Sequence, residues 1–172
     1  MVFLSCMPQK ARFILPETPS FGNPGARTEL VIFSDFQCSF CKKAAREINR
    51  LLRAHPNRFK VYFKHYPLPY HPYSQKAAQA AEAAGRQGKF AEMHDLLFAH
   101  AEELSDALVL ELADELSLDI KKFKDDMSSP EVIEKVNADK AEGDHLNIAG
   151  TPSFFINREP FNESYMDLER EI

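Results

Sequence analysis

The amino-acid sequence predicts one α/β domain interrupted by an all-helical insertion. Three observations carry this: a strand–helix–strand pattern over residues 28–65, helical periodicity from about 70 to 148, and a return to strand character at 153–156. Strands at both ends of the chain with a helical block between them describe a sheet covered by helices. The expected boundaries are an irregular N-terminal arm over 1–27 and a single domain over 28–172.

The arm carries Pro8, Pro16, Pro19, Pro24, Gly22 and Gly25 without a clear period, which predicts an irregular lead-in ending in a turn. "ELVIFSDF", from Glu29 to Phe36, is an almost unbroken apolar run suited to a strand buried on both faces. From Phe40 through Ala44, Ile48, Leu51 and Leu52 the apolar residues fall three or four apart, so a helix should run to His55, just before Pro56. "RFKVYFKH" alternates Phe59, Val61 and Phe63 with Lys60, Tyr62 and Lys64 and reads as a second strand. A helical crossover between two strands implies that they are parallel.

The helical block opens with the alanine-rich "SQKAAQAAEAAGRQGKF", interrupted at Gly85 and Gly88, and continues with Phe90, Met93, Leu97 and Ala101 on one face. Ser105 is placed to cap a helix carrying Leu108, Leu112 and Leu116, and Asp119 a short one carrying Ile120 and Phe123. Ser129-Pro130 is a cap followed by proline at the first helical position, opening a helix through Ile133, Val136 and Lys140. "GTPSFFINREPF" then gives a turn, a strand over Ser153 to Ile156, a hairpin turn near Asn157-Arg158, and a closing helix from about Ser164.

Composition excludes several classes of function. The chain has 172 residues, 44% of them hydrophobic, enough for one substantial core. A formal charge of −5 without clustered Lys and Arg argues against nucleic acid or an anionic membrane surface as partner. No apolar run approaches the roughly 20 residues of a membrane span. Val2 to Leu4 is too short for the apolar core of an export signal, so the protein is either cytoplasmic or lost its signal earlier; Leu4-Ser5-Cys6 is at most the tail of a lipoprotein signal. Three cysteines make no disulfide framework, which leaves Cys6 a bystander.

Cys38 and Cys41 stand three residues apart where the first strand gives way to the first helix. A thiol attacks as thiolate, and the unpaired N–H groups and positive dipole end of a helix stabilise an anion. Cys38 at the N-cap should therefore have a depressed pKa, while Cys41 lies one turn along on the same side and less exposed. That spacing suits attack by Cys38 and resolution of the mixed disulfide by Cys41. Two other readings stand beside it. A C-x-x-C pair can arise for packing alone. A zinc site needs two more ligands, for which only His65 with His71 and His94 with His100 have finger-like spacing; the first pair flanks the proline-rich "YPLPY" and the second lies six residues apart, off one helical face. Thr151-Pro152 alone reads as a trans proline before a strand. Joined to the cysteine pair, it reads as a cis-proline loop whose Thr151 backbone groups meet an extended peptide.

"FSDFQCSFCKKAAREI", "FKHYPLPYHPYSQKAAQAAEAAGRQGKFAEMHDLLF", "GTPSFFIN" and the lead-in "FGNPGA" together resemble the DsbA-like branch of the thioredoxin superfamily of thiol:disulfide oxidoreductases, over about residues 21–172. The resemblance implies a thioredoxin fold, a central mixed sheet flanked by helices, with the helical insertion at about 70–148. It implies Cys38 as nucleophile, Cys41 as resolving thiol, and Pro152 as a cis-proline facing the pair after Thr151. The redox-active Cys38–Cys41 disulfide serves in place of a cofactor, and no metal is expected. Cysteine-containing polypeptides would be the substrates, with a separate redox partner recycling the pair. The family's address is periplasmic or otherwise extracytoplasmic.

Two departures shape the expected chemistry. Ser39 and Phe40 stand where the name-giving oxidase has proline and histidine, and the Phe40 side chain can neither donate a hydrogen bond nor carry charge, which predicts a milder oxidant. Six residues before Cys38, where relatives carry a buried acid, this chain has Ile32. Asp35 is the nearest acid, with proton transfer to Cys41 and helix capping as its two readings. A reductase or isomerase partner is the alternative within the class; an isomerase normally needs a dimerisation module, none is visible, and a monomer is expected. From another class, the alternative is a zinc-stabilised, non-enzymatic interaction module.

Overall fold

A computed structural model describes residues 14–172; Cys6 and the Leu4-Ser5-Cys6 segment lie outside that range. The strands are β1 (Ser20–Gly22), β2 (Thr28–Ser34), β3 (Phe59–His65), β4 (Ser153–Ile156) and β5 (Glu159–Phe161). Six helices accompany them: α1 (Ser39–Ala54), α2 (Ser74–Gly85), α3 (Phe90–Ala99), α4 (Asp106–Glu115), α5 (Ile120–Met127) and α6 (Pro130–His145). A 3₁₀ helix over Tyr165–Arg170, capped by Ser164, closes the chain where a helix was expected.

The five strands form one sheet in the order β1-β3-β2-β4-β5. β2 and β3 are parallel, joined by α1 in the expected crossover, and the other three pairings are antiparallel. β2 lies at the centre, with Leu30 through Ser34 buried on both faces, as its unbroken apolar run requires. β1 was not foreseen inside the irregular arm. It is only three residues long, and it exists because Phe21 finds Val61 across the ladder; a segment this short carries no period to read.

One sheet face presents Leu30, Ile32, Phe59, Val61 and Phe63 to Ala44, Ile48 and Leu51 of α1 and to the helical block. Inside that block α2 is central, touching α3, α4, α5 and α6. Its alanines 77, 78, 80, 81, 83 and 84 are all buried, and side chains this small let four neighbours approach one helix. Ser105, Asp119 and Ser129 cap α4, α5 and α6, each accepting a hydrogen bond from a first-turn backbone N–H.

The opposite face buries Val31, Phe33, Tyr66 and Phe155 beneath Leu146 and Ile148, with α6 packed alongside β3. Here Lys64, one of the alternating polar positions of β3, is only 2% exposed. Its ammonium donates to Asp139 at 2.7 Å and meets Glu142 at 2.8 Å, while Asp139 also accepts the backbone N–H of His65 at 3.1 Å. Removing one partner of such a buried pair strands the other charge. Asp139→Ala should therefore cost about 3 kcal/mol of stability, read as a lower denaturation midpoint with an unchanged denaturant slope.

Candidate active site

The site is assembled where β2 turns into α1. Asp35 makes the turn: its Oδ1 accepts the Gln37 N–H at 2.7 Å, and its backbone carbonyl accepts the Cys38 N–H at 3.1 Å. Its carboxylate also accepts from the Leu68 N–H at 2.8 Å, from the Ser74 hydroxyl, and from His71 Nδ1 at 2.8 Å. Asp35 thus ties the loop before α1 to the segment leading into α2. Gln37 adds a second tie, accepting the Tyr73 N–H at 2.6 Å. The capping reading of Asp35 is corrected by the structure, because the N-cap of α1 is Cys38 itself.

Cys38 has extended backbone angles, φ −77° and ψ 120°, and its sulfur accepts the Cys41 N–H at 3.4 Å. From the other side the Cys38 thiol donates to the Thr151 carbonyl at 3.5 Å. The Thr151-Pro152 peptide bond is cis. Residues 113 positions apart in sequence are thus brought into contact across one groove.

The two thiols, both free in this structure, occupy unequal surroundings. Cys41 is fully buried, whereas Cys38 keeps 7% of its surface exposed. The Cys38 pKa falls from the ordinary 9.0 to about 5. The largest cause is the hydrogen bond from the Cys41 thiol; burial opposes it, and the Thr151 side chain and the backbone N–H groups of Cys41 and Phe40 add to it. The helix N-terminus therefore contributes, but the second cysteine contributes more. Cys41 moves the opposite way: burial and the neighbouring Cys38 push its pKa far up, against smaller opposing contributions from Ser34 and Thr151. One sulfur is poised as thiolate and the other is held as thiol.

The rim is apolar. Phe40 is 59% exposed with Lys43 Nζ 5.3 Å above its ring, and Tyr70 is 72% exposed, packed edge-on to His71. Among the described residues no group of three or more His, Cys, Asp or Glu side chains is placed to hold a metal. Three of the four histidines weighed as zinc ligands are engaged elsewhere: His65 with Glu82, His71 with Asp35, and His94 with Asp95 inside a cage of phenylalanines.

A family model described as Thioredoxin matches residues 15–172. The chain belongs to the thioredoxin family. Among solved structures, a thioredoxin-like oxidoreductase from Silicibacter pomeroyi DSS-3 is 30% identical, covering 96% of this chain and 99% of that one, with a TM-score of 0.76. The thiol-disulfide exchange protein alpha-DsbA2 from Wolbachia pipientis superposes with a TM-score of 0.80 at 24% identity, over 90% of this chain and 84% of that one, which shows the shared fold. Curated relatives include the Na(+)/H(+) antiporter NhaA 1 of Salinispora arenicola (strain CNS-205), 39% identical over 141 residues, or 81% of this chain and 22% of that protein. The chain thus spans about a fifth of the length of the curated relatives it matches. Among the described residues no helix is long and apolar enough to cross a membrane.

A thioredoxin-family pair of this geometry has a direct solution test. Alkylation of Cys38 by iodoacetamide should titrate near pH 5 in the native protein. Cys41→Ala removes the largest stabilising contact and should raise that midpoint, but not to the free-thiol value of about 8.5, because the helix N–H groups remain.

Proposed function

We propose that this chain exchanges disulfides with cysteine-containing polypeptides, in the oxidising direction, through Cys38 as nucleophile and Cys41 as resolving thiol. The observation that carries the reading is the Cys38 sulfur, held at the start of α1 between the Cys41 N–H at 3.4 Å and the Thr151 carbonyl at 3.5 Å. The oxidised enzyme is attacked at Cys38 by a substrate thiolate, forming a mixed disulfide and releasing Cys41. A second substrate thiolate then attacks the substrate sulfur and expels Cys38 as thiolate, or Cys41 attacks the Cys38 sulfur and expels the substrate thiolate unchanged. Thr151 and Pro152 form the wall against which an extended peptide lies, with Phe40 and Tyr70 supplying apolar contact at the rim.

Direction follows from thiolate stability, because stabilising the reduced form makes the disulfide a better oxidant. A pKa of about 5 lies between the roughly 7 of a thioredoxin and the roughly 3.5 of the strongest DsbA oxidants. That supports an oxidant milder than those, in keeping with Phe40 between the cysteines. Such an oxidant would act in a periplasmic or other extracytoplasmic space, recycled by a separate redox partner. Ion transport, which the antiporters' names describe, is not proposed for a chain that spans so little of them. Asp35, whose carboxylate already accepts from four groups, holds the loop in this reading.

Oxidation of a dithiol peptide by the disulfide form tests the proposal. Cys38→Ser should lose activity at least about 100-fold, and Cys41→Ser, given a peptide that already carries a disulfide, should accumulate a mixed disulfide visible by mass. Undiminished turnover in Cys38→Ser would end the proposal. Equilibration with glutathione buffers should place the pair at or above the glutathione couple, about −240 mV; a value near that of thioredoxin would assign the reductase direction instead.

A further inference from the structure

Among the described residues four large apolar side chains stand exposed, Leu15, Phe40, Tyr70 and Met166, and two of the four belong to the site. Phe40 lies between the cysteines; Tyr70 lies at the tip of a turn bound to Asp35. A lone exposed apolar residue on a loose loop is ordinary. The Tyr70 turn is not loose. The His71 N–H donates to the Leu68 carbonyl at 3.1 Å, closing a turn with Pro69 and Tyr70 at its centre, and proline favours the first central position. Asp35 Oδ2 then accepts from both ends of that turn, from the Leu68 N–H and from His71 Nδ1, each at 2.8 Å. The Asp35 side chain is wholly buried, and the His71 ring packs edge-on to Tyr70 with centroids 4.8 Å apart.

We propose that Tyr70 determines substrate specificity at this site and that His71 positions it, so that the preferred substrates are polypeptides whose reacting cysteine is flanked by bulky apolar side chains. The inference rests on the exchange reading of Cys38 and Cys41 and narrows its substrate class. One residue holds both partners: the Asp35 carbonyl accepts the Cys38 N–H at 3.1 Å, while its carboxylate grips the Tyr70 turn. The ring is therefore fixed relative to the sulfur before any substrate arrives.

A contact surface that is already ordered gives up little conformational freedom on binding, and tyrosine offers a large, stiff, amphipathic face with only two side-chain torsions. A substrate side chain next to the reacting cysteine covers that face as the cysteine reaches Cys38. Glutathione cannot make this contact, because its cysteine stands between a charged γ-glutamyl group and a glycine. Phe40 adds a second ring, shared with the Lys43 ammonium 5.3 Å above it. His71 touches no substrate in this scheme; it acts through Tyr70.

Reduction of the disulfide form by excess thiol, followed by acid quench and mass, tests this with three thiols: a peptide with leucine on both sides of its cysteine, the same peptide with glycines there, and glutathione. Expressed per thiolate, the native protein should react with the leucine peptide at least about fivefold faster than with the glycine peptide, within the discrimination an apolar contact supplies. Tyr70→Ala should bring that ratio below about two, Tyr70→Phe should keep it, and the Cys38 alkylation midpoint should stay at its native value in both. His71→Ala should lower the ratio as Tyr70→Ala does, and His71→Asn, whose amide can still donate to Asp35, should keep most of it. A native ratio in Tyr70→Ala would overturn the proposal, as would rates that fall equally for all three thiols, which would place the effect on the cysteine pair. Equal losses in His71→Ala and His71→Asn would overturn the positioning role. Where His71→Ala melts early, Tyr70→Ala, at an exposed position, decides. If the native protein reacts with none of the three thiols, the exchange reading fails; if it reacts with all three without preference, this inference fails alone.

Discussion

The structure turns on the position of one sulfur at the N-cap of one helix. Backbone amides at a helix start have no partners within the helix, and Cys38 supplies an acceptor to one of them. A serine or aspartate would satisfy the same need and end there. A cysteine in that position has its charge state set by the backbone, so capping and reactivity become one interaction. The rest of the domain holds this geometry still: β2 sets the direction of approach, Asp35 fixes the turn, and α1 is clamped by Ala44, Ile48 and Leu51 against the sheet.

The helical insertion serves the same end. Asp35 is held from the far side by Leu68, His71 and Ser74, all in the segment that opens the insertion, so the loop before Cys38 depends on the position of α2. The alanine-packed centre of that block gives α2 little room to shift. From the opposite direction, β4 pairs with β2 over Leu30 to Phe33, and that register carries Thr151 and Pro152 to the cysteine pair. Two remote segments thus converge on one turn, each fixed by backbone pairing or a buried carboxylate.

How far the sequence revealed this depends on the kind of signal. The buried run of β2, the caps at Ser105, Asp119 and Ser129, and the cysteine pair are local patterns, and each was legible because its physical cause lies within a few residues. β1 was not, because a three-residue edge strand depends on β3 for its existence. Lys64 reads as an ordinary polar position of an alternating strand; its burial comes from Asp139, 75 residues later. Asp35 was singled out for its nearness to the cysteines in sequence, yet its partners lie between residues 37 and 74, and its carboxylate faces the insertion. Gln37 passed unnoticed because nothing local marks a glutamine as holding a distant backbone amide.

The two cysteines also divide the electrostatic work in a way that spacing alone does not reveal. Helix dipole arguments assign the depressed pKa of Cys38 to the backbone, but the larger contribution comes from the Cys41 thiol, which can donate only while it keeps its own proton. Stabilising the first thiolate therefore raises the cost of forming the second, and burial of Cys41 adds to it. In the proposed exchange this asymmetry would favour waiting: Cys41 supports the Cys38 thiolate until Cys38 enters a mixed disulfide, whose neutral sulfur no longer needs that proton. At that moment the hydrogen bond holding Cys41 as a thiol would lose its acceptor charge. In that reading attack and resolution are ordered by one shared proton rather than by a movement of the fold.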